Sequence, residues 1–230
     1  GDYMYIDQEK QYQNGQDGIF DQTKDKCSPK TIFLLGNSGA GKTQLIRRSH
    51  ESLGGRLQII ALYSQFNSIY DIKRLRSAGI TAVIKTDLLK DSPTKTWHPE
   101  DIGYKLFFHE LSGRTEISLP KEQKNSFRVI VFSITDGEEK PLKYPRMFKE
   151  ANLVVVNKID LLPFTDFSLS RFKNQLRKVN PEVPVIKLSC RTGVGLATWR
   201  NWLLSLYGQD DLEESGIKPI LNSFPGISFY

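Results

Sequence analysis

Three short strings in this sequence have the residue types that phosphate and a purine base demand. The first is Gly36-x-x-x-x-Gly41-Lys42-Thr43, in which Asn37, Ser38, Gly39 and Ala40 fill the turn. Glycines let such a turn curl until its N–H groups converge on phosphate oxygens, and a helix opening behind it adds its positive end. Lys42 then neutralises the terminal phosphates, and the Thr43 hydroxyl is placed to hold Mg²⁺ beside them, so these two residues are the candidate catalytic pair. The second string is Asn157-Lys158-Ile159-Asp160. A carboxylate accepts from both N1–H and the exocyclic amine of guanine, a donor pair that adenine lacks; Asn157 suits the purine edge, and the stem of Lys158 can cover the ring. The third is Ser189-Cys190-Arg191-Thr192-Gly193, a turn that can offer backbone N–H groups to the guanine carbonyl. Together the strings predict GTP and GDP in preference to ATP, with Mg²⁺ as the accompanying ion.

Those strings work only if the chain brings them to one place. Apolar runs at 31–35, 57–62, 80–84, 128–134, 153–156 and 183–188 read as strands, with 105–109 a weaker candidate. Helical patterns follow the glycine-rich turn to about residue 50 and recur at 70–77, 168–179 and 195–207. Strands alternating with helices predict an α/β fold, a mostly parallel sheet flanked by helices, of the P-loop NTPase kind. In such a sheet the turns after the strands share the carboxyl edge, where ligands bind. Trp199, Trp202, Leu203 and Leu206 recur at helical spacing and read as core packing. Arg47 and Arg48 read as a solvated helix face.

Composition narrows the class further. The chain has 230 residues, 39% hydrophobic and 25% charged, and no run reaches the roughly 18 apolar residues a membrane helix needs. Two cysteines are too few for a disulfide framework and suit a reducing cytoplasm. The net charge of +6 is uneven: residues 1–26 carry six acids against three lysines and residues 209–230 four acids against Lys218, leaving +12 on residues 27–208. That basic body reads as the surroundings of a phosphate site, not as a nucleic-acid surface, since aromatic and basic residues do not interleave. The expected organisation is a polar flexible segment at 1–26, a nucleotide-binding domain at 27–208 and a loose tail at 209–230. Cys27 and His98, the latter beside Trp97 and Pro99, read as structural or solvated residues, and so does His109.

A more specific resemblance lies in the second half. Thr135-Asp-Gly-Glu-Glu-Lys-Pro-Leu-Lys-Tyr-Pro-Arg-Met-Phe148, followed by Ala151-Asn-Leu-Val-Val-Val-Asn-Lys-Ile-Asp-Leu-Leu-Pro163, resembles the nickel-insertion GTPases of hydrogenase and urease maturation, the hydrogenase accessory B branch in particular. The likeness continues through Val179-Asn-Pro181 and Ser189-Cys-Arg-Thr-Gly193 to Trp199 and Trp202. It implies slow GTP hydrolysis, a GTP-dependent homodimer, and passage of nickel toward a hydrogenase or urease with a partner nickel chaperone. The alternative is a divergent paralogue that binds GTP as a scaffold with little hydrolysis. The middle of the chain departs from the family. Where the family has an acidic residue, a glycine and a magnesium-side Asp, this sequence has Tyr63, Ser64 and Gln65. Where the family has a Cys-His pair, it reads Lys85-Thr-Asp-Leu-Leu-Lys-Asp-Ser-Pro93, and Leu119-Pro120 replaces a later Cys. Glu110-Leu-Ser-Gly113 still resembles the family's phosphate-side turn. No nickel or zinc ligand is therefore assigned.

Overall fold

The architecture is that of a computed structural model, which describes residues 28–54, 57–63, 69–84, 105–111 and 125–208. The segments expected to be tails, together with Cys27, Ser64, Gln65, residues 85–93, His98, Gly113 and Leu119, lie outside the described residues.

Seven strands form one sheet: β1 (Lys30–Leu35), β2 (Ile59–Tyr63), β3 (Thr81–Ile84), β4 (Leu106–Glu110), β5 (Ser126–Ser133), β6 (Leu153–Asn157) and β7 (Val185–Lys187). Their order across the sheet is β3-β2-β4-β1-β5-β6-β7, and every pairing is parallel. The expected parallel α/β sheet is thus present. Parallel strands covered on both sides are apolar at every position, as Leu-Val-Val-Val on β6 shows. Alternate residues divide between two cores. Val129, Val131, Leu153 and Val155 meet one, while Ile130, Phe132, Val154 and Val156 meet the other.

The first core is closed by α1 (Lys42–Leu53), α2 (Ile69–Ser77) and α6 (Leu196–Ser205), through Leu45, Ile46, Ile72, Leu75, Trp199 and Leu203. The second is closed by α4 (Pro145–Lys149) and α5 (Leu169–Val179), where Phe172 stacks on Phe132 at a centroid distance of 4.3 Å. A further short helix, α3 (Lys140–Lys143), precedes α4. Each of these two has a proline in its first turn, which fixes φ where the N–H needs no partner.

Three expectations need correction. The supposedly weak strand at 105–109 is the buried β4, paired with β1 on one side and β2 on the other. His109 and Lys105 dilute its apolar signal; His109 is 8% exposed and its ring lies 5.3 Å from that of Phe33. The strand expected over 183–188 shortens to three residues, because Pro184 has no N–H to give a ladder. In the last helix Leu204 joins the buried set with Trp199, Trp202 and Leu203, while Leu206 is only partly buried.

One polar contact ties α1 to α6 inside the core: Trp199 Nε1–H donates to Ser49 Oγ at 2.8 Å, and Ser49 Oγ–H donates to the Leu45 carbonyl. Both residues are fully buried. Ser49→Ala leaves the indole N–H without an acceptor and should lower unfolding free energy by about 1–3 kcal/mol. In a Trp199→Phe background the same substitution should cost far less. Denaturant unfolding of the four chains measures the difference, and equal costs in both backgrounds contradict the coupling.

Candidate functional site

β1 ends at Leu35 and the chain turns through 36–41 into α1, as the motif requires. Two of its glycines have steric reasons. Gly36 has φ +148° and a Cβ there would collide with the Val131 carbonyl. Gly41 has φ +99°, and its missing side chain leaves the space that the Asn157 amide occupies. Asn37, Ser38 and Gly39 are exposed and Ala40 is buried. Lys42 is 5% exposed, and its ammonium donates to the Gly36 and Asn37 carbonyls, both at 3.0 Å. It therefore lies folded over the turn that it is expected to open to phosphate.

The carboxyl ends of β4 and β2 close the magnesium side. Thr43 Oγ1–H donates to Glu110 Oε2 at 2.9 Å, and Lys42 Nζ stands 3.8 Å from Glu110 Oε1. Burial raises the Glu110 pKa and lowers that of Lys42, each partly opposed by the other's charge. Tyr63, 1% exposed, lies beside both Glu110 and Thr43; burial and the Glu110 charge push its phenol far above the usual range. Its hydroxyl points at Thr43 and Glu110 without a hydrogen bond of good geometry, so a buried polar atom is aimed at this cluster. These groups fit a small hard cation. Thr43 and Glu110 supply the oxygen donors that such an ion takes.

On the base side, Asp160 follows β6 in a single-residue reversal at Lys158, whose φ is +65°. Such a conformation is costly for lysine and persists only where its surroundings hold it. Ser189 Oγ–H donates to Asp160 Oδ1 at 2.6 Å and accepts from the Thr192 N–H at 3.1 Å, so it orients the carboxylate and closes the turn after β7. Asn157 is 2% exposed. Its Nδ2 donates to the Ala40 carbonyl at 2.9 Å, and its Oδ1 accepts from the Lys158 N–H at 2.8 Å and the Cys190 N–H at 3.1 Å. Sequence reasoning missed this bracing role. Cys190 is also more structural than expected: its amide serves Asn157, and burial pushes its thiol pKa up to about 12.

Arg48 overturns its own expectation. It is not a solvated residue of α1 but hydrogen-bonds the Cys190 and Arg191 carbonyls. Arg47, by contrast, is half-buried and pairs with Glu51 at 3.6 Å. Among the described residues no group of three or more His, Cys, Asp or Glu side chains is arranged to hold a metal ion. No helix among them is long and apolar enough to cross a membrane.

The phosphate turn, the Asp160 turn and the 189–193 turn therefore meet at one sheet edge. Residues 114–187 match the family model described as "CobW/HypB/UreG, nucleotide-binding domain". The hydrogenase/urease maturation factor HypB of Helicobacter pylori is 32% identical over 191 residues, 75% of each chain. The chain belongs to the HypB family. The hydrogenase maturation factor HypB of Azotobacter vinelandii is 32% identical over 181 residues, covering 75% of this chain but 59% of the relative's length. The solved structure of Helicobacter pylori HypB in complex with nickel superposes with a TM-score of 0.63 at 22% identity, over 86% of this chain and 93% of that one. That likeness extends the shared fold to the whole sheet.

In this chain Glu110 ends β4 and Tyr63 ends β2, side by side at the sheet edge. The raised Cys190 pKa gives a test of how tightly the base-side turn is packed. Because the folded state holds the thiol proton more firmly, its contribution to stability is complete below the unfolded pKa, near 9.0, and is lost as pH rises toward about 12. The stability difference between the native chain and Cys190→Ala should therefore shrink by about 1.4 kcal/mol for each pH unit above that point. Denaturant midpoints between pH 8 and 10, on otherwise matched chains, check this; a constant difference means the turn opens readily to water.

Proposed function

We propose that this chain is a guanine-nucleotide-binding protein and slow GTPase that serves as a switch in nickel metalloenzyme maturation. The observation that carries the reading is the Asn157 amide, which joins the Lys42–Thr43 phosphate turn to the Asp160–Ser189–Cys190 base site. In the reading, Asn37, Ser38, Gly39 and Ala40 present the turn to phosphate between Gly36 and Gly41, and Lys42 leaves its two carbonyls for the terminal phosphates. Thr43 and Glu110 hold Mg²⁺, which when bound supplies positive charge to the phosphate oxygens. Asp160 takes the guanine N1–H and amine, Lys158 covers the ring, and Asn157, Ser189, Cys190 and Arg191 form the rest of the base site.

The unit responsible is residues 27–208, with 1–26 and 209–230 as flanking tails. Membership in the HypB family supports a role in hydrogenase or urease maturation, with nickel as cargo and a nickel chaperone as partner. A GTP-dependent homodimer and a cytoplasmic location go with it. The chain spans 59% of the length of the Azotobacter vinelandii relative, so the whole protein's role in maturation is part of this proposal.

Competition binding tests the base assignment. GTP and GDP should bind with micromolar or tighter affinity and ATP should not displace them; Asp160→Asn should shift preference to xanthine nucleotides, since the amide offers a donor where the carboxylate accepted. Equal displacement by ATP and GTP would overturn the assignment.

Lys42→Ala should weaken nucleotide at least tenfold while leaving the unfolding transition nearly in place, because a charge-assisted contact worth about 1.5–3 kcal/mol is lost. Unchanged affinity in a calorimetric titration would remove the phosphate turn from the mechanism. For the wider role, the native chain but not Lys42→Ala should restore hydrogenase or urease activity to cells lacking their own HypB.

A further inference from the structure

The base-side turn is held from a direction that the guanine motifs do not explain. Arg48, on α1, points its guanidinium at the turn: Nε–H donates to the Cys190 carbonyl at 2.7 Å and one terminal N–H₂ to the Arg191 carbonyl at 3.0 Å. The other terminal nitrogen donates to Glu51 Oε2 at 2.9 Å, which fixes the plane of the group from α1 itself. Its side chain is only 26% exposed. Arginine's planar fork makes these two charge-assisted bonds and the bond to Glu51 at once in one fixed plane, which an ammonium, a freely rotating point charge, does not impose.

Peptide geometry converts this grip into an aim. The chain has no cis peptide bond among its described residues, and in a trans peptide the N–H points opposite to the C=O before it. Drawing the Cys190 carbonyl toward α1 therefore turns the Arg191 N–H away from α1. The neighbouring amides are already taken: Cys190 N–H by Asn157 Oδ1, Thr192 N–H by Ser189 Oγ, and Gly193 N–H by the Ser189 carbonyl. Among the described residues the Arg191 N–H has no intramolecular acceptor. It sits on the same turn as Ser189, whose hydroxyl holds Asp160.

We propose that Arg48 is a specificity-determining positioning residue, which aims the Arg191 N–H at the 6-carbonyl of guanine from the phosphate-binding helix. The proposal rests on the guanine reading above and adds to it the element that sets one of the base contacts. Asp160 recognises the N1–H and amine; Arg48, acting through Arg191, governs recognition of the carbonyl. The guanidinium charge also polarises the peptide that it grips, strengthening the outward N–H as a donor.

Three nucleotides separate the two contacts. 6-Thio-GTP keeps both donors for Asp160 but exchanges the carbonyl oxygen for a poor acceptor, whereas ITP keeps the carbonyl and lacks the amine. In the native chain both analogues should bind more weakly than GTP. In Arg48→Met, GTP and ITP should weaken together by about tenfold, the worth of one good hydrogen bond, while 6-thio-GTP barely changes. The GTP/6-thio-GTP preference then collapses and the GTP/ITP preference survives. Arg48→Lys keeps the charge and the helix but loses the rigid plane, set by Glu51, that fixes the Cys190 peptide against α1, so it should narrow the same ratio, and a folding defect in the Met variant does not decide the matter. If all three nucleotides weaken by one common factor, or if the GTP/6-thio-GTP ratio is unchanged, Arg48 is a structural tie and the proposal falls. A native chain with no preference among the three instead overturns the guanine reading itself.

Discussion

The amide of Asn157 is the contact on which the edge of the sheet depends. Its nitrogen reaches the Ala40 carbonyl in the phosphate turn, and its oxygen receives the N–H groups of Lys158 and Cys190. Each of these backbone groups sits in a turn that cannot satisfy it through a strand ladder, in a region too buried for water to do so at no cost. One side chain therefore settles the hydrogen bonding of three turns and fixes their relative position. The absent Cβ of Gly41 makes room for it. An alanine at 41 and an aspartate at 157 would damage the same joint from opposite sides, the first by steric collision and the second by losing the donor to Ala40.

Around that joint, the two halves of the site are held in opposite ways. The base side is over-determined: Ser189 holds Asp160, Asn157 holds Cys190, and Arg48 holds Cys190 and Arg191. The phosphate side is electrostatically unfinished. Lys42 and Glu110 are buried and each is pushed toward its neutral form, Tyr63 has a buried hydroxyl without a good partner, and Thr43 spends its proton on Glu110. On the proposed reading, a braced turn for the base beside a desolvated cluster for phosphate and cation leaves ligand charge to complete the second half. In that reading, nucleotide charge offsets the desolvation that Lys42 and Glu110 carry at the ends of β1 and β4.

How much of this was legible beforehand follows from where each signal lies along the chain. The phosphate turn is local: its glycines, Lys42 and Thr43 meet demands set within eight residues, so sequence alone identifies them. Asp160 is legible for the same reason, as is the second-half family likeness. Arg48 is not, because its partners lie more than 140 positions away and its helical position looks like any solvated face. Asn157 was legible as a site residue but not as a brace, since its partners depend on how β6 lies against β1 through β5. β4 was underrated because His109 breaks an otherwise apolar run, although the strand on either side supplies the burial that defines it.

Tyr63, at the end of β2, shows why a neutral side chain suits this edge better than an acid. An acid at that position would add a third charge to a buried group that already holds Lys42 and Glu110, and burying an uncompensated carboxylate is expensive. Tyrosine retains an oxygen at the end of β2 but carries no charge, and its ring fills core space between β2 and the helices, at 1% exposure. The electrostatic load of holding a cation then falls on Glu110, the carboxylate already in hydrogen-bond contact with Thr43. In the proposed function, such a chain relies more on the phosphates of its nucleotide to complete the cation's coordination than one with a second carboxylate at the strand end. On the proposed reading, magnesium affinity is coupled to nucleotide occupancy, a coupling that suits a switch better than a standing metal store.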